Sequence, residues 1–207
     1  MGRATNRRAV ARAALAGAAL LGLGWSVAGA HAGQAMTVGG ITSQPIGHYE
    51  YCQTNPAECA IRSRDAGPEK MTGTLWRKMV AVNAAVNSAV KPMSDADIYG
   101  KEEVWALPVD GVGDCEDYVL QKQRDLHAAG FSMSNLLITV VRKPDGEGHA
   151  VLTVRTDQGD YVLDNLNEHV IAWYETGYAY LKRQSSRNTG RWVSIRQGQT
   201  PTVAAVK

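Results

Sequence analysis

The sequence predicts an α+β fold in which a helix led by a cysteine precedes an antiparallel β-meander. Three observations carry this. A glycine turn and an acidic first turn open a helix at Cys115. Three β-branched runs follow, separated by the turns PDGEG and TDQG. An earlier segment repeats apolar residues at the 3–4 spacing of one helix face.

Residues 1–30 read as a secretory signal. Arg3, Arg7, Arg8 and Arg12 form a basic start, AALAGAALLGLGWSVAGA is apolar and small, and Ala28 and Ala30 make an A-x-A cleavage site before His31. A cut after Ala32 is the alternative. A permanent anchor is the competing reading, but spanning needs about 20 strongly apolar residues and only half of this run qualifies. Losing the leader takes away four arginines and no acids, so the formal charge moves from +2 to −2. No basic patch then argues for nucleic acid, and no later segment is long and apolar enough to cross a membrane. The expected location is periplasmic or secreted.

Residues 31–70 are rich in Gly, Pro and polar side chains and read as an irregular N-terminal arm. Cys52 and Cys59 flank a turn-rich QTNPAE, close enough to form a disulfide outside the cytoplasm. The folded domain is expected over 71–196. Its first helix starts near Thr72, with Leu75, Met79, Val82, Val86 and Val90 on one face, and Pro92 closes it. SDADIYGKEE reads as a loop. The second helix takes Asp114 as N-cap, with Asp117 completing an approximate capping box, and ends at Gly130. The strands are NLLITVVRK (135–143), HAVLTVR (149–155) and DYVLDNL (160–166). VIAWYETGYAYLKRQ has no decisive pattern, RWVSIR (191–196) could be a last short strand, and 197–207 is a loose tail.

Cys115 is left over once Cys52 and Cys59 pair. An odd cysteine in an exported chain is either a reactive thiol or a buried inert one. As the first residue of a helix it sits where anions are stabilised, which lowers a thiol pKa. Whether the flanking Asp114, Glu116 and Asp117 undo that effect depends on where they point and on what else binds them. Of the histidines, His127 lies about 18 Å along the same helix and cannot reach the sulfur. His149 opens the second strand. It falls opposite Asp164 if the hairpin turn centres on Thr156–Asp157, and diagonal to it if the turn centres one residue later. Cys115, His149 and Asp164 thereby supply a nucleophile, a base and an orienting carboxylate. A surface His–Asp pair beside a packed cysteine is the bland alternative. Zinc binding by the same three lacks any supporting C-x-x-C or H-x-x-x-H pair.

VWALPVDGVGDCEDYVLQKQRDLHAAGF, GHAVLTV, YVLDNL and YLKRQ…W, in that order, resemble the bacterial transglutaminase-like cysteine proteinase family from roughly Cys52 to Ile195. The resemblance implies a transglutaminase-like, papain-related fold, with the cysteine helix packed on an antiparallel sheet bearing His and Asp. It implies Cys115 as nucleophile, His149 as general base and acid, and Asp164 as orienting carboxylate. Trp105 falls where related enzymes carry a tryptophan near the oxyanion site; core packing and the backbone N–H of Cys115 are the rival readings of that place. The chemistry itself requires no cofactor.

The best-known members are periplasmic proteases that release large surface adhesins and disperse biofilms. Some bind calcium through carboxylates flanking the cysteine, which makes Asp114, Glu116 and Asp117 candidate Ca²⁺ ligands here. A bound cation would neutralise the acids and favour the thiolate. Adhesin-releasing members are also sequestered by an inner-membrane receptor, a partner implied by resemblance alone. Two departures weaken the adhesin assignment. Ala150 follows His149 where those members usually carry methionine, and the segment before Cys115 differs in detail. The expected function is an exported cysteine peptidase acting on a protein substrate. Transglutaminase-type acyl transfer and a non-catalytic binding module on the same fold are the alternatives.

Overall fold

The computed structural model describes residues 1–2, 34–108 and 110–196. The expected leader cleavage site and the tail 197–207 lie outside the described residues. In order, the elements are β1 (Thr37–Thr42), α1 (Ile46–Thr54), α2 (Pro56–Cys59), α3 (Gly73–Ala89), β2 (Lys91–Pro92), α4 (Asp95–Tyr99), β3 (Val112–Gly113) and α5 (Cys115–Ala128). Then come β4 (Leu136–Arg142), β5 (Gly148–Thr156), β6 (Gly159–Leu163), β7 (Ile171–Ala172), β8 (Ala179–Ser185) and β9 (Asn188–Arg196). Seven strands form one sheet in the order β1-β9-β8-β4-β5-β6-β7, with every pair antiparallel.

Two helix ends have a clear local cause. The Thr72 side chain accepts from Leu75 N and starts α3. Gly130, at φ +103°, ends α5: Phe131 N reaches Leu126 O across it, a turn that favours glycine. α5 buries Val119, Leu120 and Leu126 against Leu136, Ile138, Leu152, Leu163 and Trp192 of the sheet. Burying such side chains contributes roughly 1.5–3 kcal/mol each. The opposite sheet face carries Val141, Val151, Val162, Trp173 and Tyr180.

The arm is not irregular. β1 pairs with β9 and completes the sheet edge, while α1 and α2 are joined by the Cys52–Cys59 disulfide. Its two glycines and sparse apolar positions hide a strand that exists because β9 supplies the partner. The loop expected at SDADIYGKEE holds α4, whose N-cap Ser94 accepts from Asp97 N. The last strand is longer than RWVSIR, and the undecided aromatic segment supplies β7 and β8.

Two features aim the site. β2 and β3 pair in parallel, Lys91 with Val112 and Pro92 with Gly113, which ties the end of α3 to the residues just before Cys115. In the β5–β6 hairpin Leu152 faces Leu163 and Thr156 faces Gly159. The turn therefore centres on Asp157–Gln158, the second of the two expected registers, and Asp164 falls just past β6, diagonal to His149.

Candidate active site

Cys115 is the first residue of α5, preceded by Asp114 in extended conformation. Asp114 occupies the N-cap position, yet its side chain makes no capping bond. Asp117 accepts instead from the backbone N–H of Ala106 at 2.9 Å, so the expected capping box is replaced by a tie to the Trp105 segment. Gly113 makes that tie feasible, since a Cβ there would meet Asp117 Oδ2 at 2.6 Å.

His149 and Asp164 are both buried, and His149 Nε2 and Asp164 Oδ1 are 2.8 Å apart. Asp164 is held from three further directions. Leu166 N donates to Oδ1, the Tyr178 hydroxyl donates to Oδ2, and Asn87 Nδ2 donates to the backbone carbonyl. Burial opposes the charge on Asp164, but these donors and His149 bring its pKa below the ordinary carboxylate range. With Nε2 engaged, His149 Nδ1 has no partner among the described residues. Cys115, His149, Ala150, Glu116 and Trp105 line one cleft of about 260 Å³.

The structure shows where the flanking acid points. Cys115 Sγ donates to Glu116 Oε2 at 3.0 Å. Burial and the Glu116 charge push its pKa well above the ordinary value; the Ala150 N–H works the other way and does not win. Burial and the neighbouring Glu116 thus outweigh the helix-start advantage. Burial, helped by repulsion from neighbouring carboxylates, raises Glu116 to about 8 and Asp117 to about 7 and also raises Asp114; burial alone raises Asp95.

The four carboxylates sort into two groups. Asp95, Asp114 and Asp117 bring oxygens within 4.8 Å of one another. Asp95 Oδ1, Asp114 Oδ1 and Asp117 Oδ2 are buried and lack any hydrogen-bond partner among the described residues. Three carboxylates brought this close, each with one orphaned buried oxygen, fit a hard divalent cation such as Ca²⁺. Asp95, forward in the chain on α4, had no sequence signal. Glu116, expected in that set, turns to the thiol and forms a second group with Asp114 and Cys115.

Trp105 is buried and lines the cleft, and its Nε1 has no hydrogen-bond partner among the described residues. Its indole packs edge-on against His48 and Trp192, with centroids 5.2 and 6.4 Å away. Gly47 of α1 permits this approach, because a Cβ there would meet Trp105 Cδ1 at 2.3 Å. The arm therefore builds one wall of the site. Tyr178, in the segment whose structure was undecided from sequence, is the other residue that sequence reasoning missed.

A family profile for bacterial transglutaminase-like cysteine proteinases (BTLCP) matches residues 38–200. The chain belongs to this family. It is a cysteine peptidase with the transglutaminase-like fold. Among solved structures it is similar to LapG from Legionella pneumophila, at 23% identity and a TM-score of 0.50 over 60% of this chain and 71% of LapG. The calcium-bound form of LapG gives 22% identity and a TM-score of 0.50 over 64% and 76% of the two chains. The EGTA-treated form gives 24%, 0.50, 63% and 72%. At these identities the likeness is one of fold. No curated protein matches the chain. Among the described residues no helix is long and apolar enough to cross a membrane.

Proposed function

We propose that this transglutaminase-like proteinase is an exported, periplasmic peptidase that cleaves a protein substrate with Cys115, His149 and Asp164. The observation that carries the reading is the buried His149–Asp164 bond, which leaves Nδ1 as the free ring nitrogen in a cleft shared with the Cys115 thiol. His149 Nδ1 takes the thiol proton, and the thiolate attacks a peptide carbonyl carbon. Backbone N–H of Cys115 and Trp105 Nε1–H stabilise the oxyanion. Collapse expels the amine, which receives the proton from His149 and leaves a thioester. Water, deprotonated by His149, then releases the acid and restores the thiol. Asp164 holds the ring and stabilises the imidazolium throughout.

Asp95, Asp114 and Asp117 would hold Ca²⁺, with Glu116 beside them. A bound dication supplies positive charge next to the helix start and lowers the cost of the thiolate. The resemblance to adhesin-releasing members makes a large surface adhesin the first substrate to try, and an inner-membrane receptor the first partner. The test is incubation of the mature chain with adhesin-type and unrelated unfolded proteins, read by mass spectrometry. Paired cleavage fragments, lost in Cys115→Ala, His149→Ala and Asp164→Asn, support the reading. Crosslinked products would make it an acyl transferase, and wild-type products persisting in Cys115→Ala would overturn it.

A further inference from the structure

Lys122 of α5 is completely buried, and its Nζ has no hydrogen-bond partner among the described residues. Its nearest aromatic neighbour is the Tyr118 ring, with Nζ 5.8 Å from the centroid. Burying an unpaired ammonium is costly, and the mechanism above gives this one no task. Its surroundings do.

Helices α3 and α5 run antiparallel. Two contacts set their register: Tyr118 Oη donates to Val90 O at one end, and Lys78 Nζ donates to Ala129 O at the other. That register puts Lys122 level with Val86, between Asn83 and Asn87. Those two asparagines clamp the segment that begins with Asp164. Asn87 Nδ2 donates to Asp164 O and Asn167 O, and Asn83 Nδ2 donates to Asn167 O and Glu168 O. Each asparagine is left with a buried Oδ1 that has no partner among the described residues, and so is Asn165 within the segment. Lys122 Nζ makes no direct bond to these amide oxygens; with the ammonium and the two asparagines at one level of the helix pair, a bridging water would satisfy both.

We propose that Lys122 is a positioning residue for the triad: its buried ammonium, water-bridged to Asn83 and Asn87, steadies the clamp they hold on the Asp164–Glu168 segment and favours the Asp164 carboxylate. The inference rests on the triad reading. The charge acting on Lys122 is Asp164 beyond β6, and the Tyr118 ring of its own helix lies 5.8 Å away; the residues of α3 flanking its level are the uncharged Asn83 and Asn87, with Arg77 and Lys78 toward the start of that helix. Asp164 in turn faces His149, Tyr178 and Tyr180. Burial lowers the Lys122 pKa to about 7, and the Asp164 charge opposes that fall. The same attraction must act in reverse on Asp164.

The test uses Lys122→Met, Lys122→Gln and Lys122→Arg in the mature chain. In the two neutral variants the Asp164 carboxyl, followed by ¹³C NMR, should titrate higher by about one unit. Alkylation of Cys115 by iodoacetamide at pH 7 should slow several-fold, and Lys122→Arg should restore both. A lower melting temperature with the Asp164 midpoint unmoved means a merely structural lysine and overturns the proposal. If neither neutral variant folds, the ¹³Cε signal of Lys122 is compared between wild type and Asp164→Asn. A lower lysine midpoint in the variant supports the coupling, and an equal midpoint overturns it. Failure of the triad itself would show separately, as a wild-type Cys115 inert to iodoacetamide with calcium present.

Discussion

The Tyr178 hydroxyl donates to Asp164 Oδ2 at 2.7 Å, on the carboxylate whose other oxygen meets His149. The same ring stands edge-on to the imidazole, 5.8 Å between centroids. Tyr178 therefore fixes both partners of the orienting pair. A hydrogen bond to a charged group contributes about 1.5–3 kcal/mol. Tyr178→Phe should keep the fold and lower the Cys115 alkylation rate by roughly tenfold. Circular dichroism with a stopped alkylation assay checks both halves.

Gly47→Ala tests the arm as part of the site. The added methyl would collide with Trp105 Cδ1 and Nε1 at 2.3 and 2.6 Å, so the indole must move. Losing one oxyanion donor costs about a hundredfold or more in turnover. The expected outcome is a kcat loss of that order with KM changed less than threefold, measured on the cleaved substrate. Thiol alkylation forms no oxyanion and should fall far less.

Calcium should act on the thiol and not on the fold of the sheet. Chelation is expected to slow Cys115 alkylation by at least tenfold and to be reversed by added calcium. Gly113→Ala would push against Asp117 Oδ2 at 2.6 Å, and a displaced supporting group typically weakens a metal site by about tenfold or more. Titration calorimetry of wild type, Gly113→Ala and Asp95→Asn measures this. Undiminished affinity in Asp95→Asn would remove Asp95 from the ligand set.

His48 provides the pH signature of the fold. Buried among Tyr51, Trp105 and Trp192, it accepts from Trp192 Nε1 at Nδ1, and burial lowers its pKa to about 4 from 6.5. The unfolded chain then binds the proton first. Stability from this group is complete above pH 6.5 and is lost as pH falls from there through 4. The full effect is about 3 kcal/mol. His48→Gln should flatten the melting temperature between those limits relative to wild type, as scanning calorimetry would show.

Local signals made part of this legible. Gly113, the acidic first turn and Gly130 delimit α5 by rules acting within a few residues, and the TDQG turn confines His149 and Asp164 to two registers that both allow contact. What escaped the sequence depends on distant packing. Asp95 joins Asp114 and Asp117 only because β2 and β3 pair beside it. Tyr178 reaches Asp164 only because β8 lies against β4. Trp105 owes its place to a helix in an arm whose Gly and Pro content obscured it. The direction of the thiol shift stays open in the sequence, because helix-end stabilisation is readable in one dimension, whereas burial and the direction of Glu116 are not.

The most direct test of the central claim is the pH dependence of Cys115 alkylation by iodoacetamide in the mature chain, with calcium and with chelator, read by mass spectrometry. The account predicts fast, single-site modification with an apparent midpoint well below about 8.5 in calcium, and a slow thiol titrating above it in chelator. A Cys115 that titrates at or above the ordinary value in both conditions would contradict the activated Cys115–His149–Asp164 site.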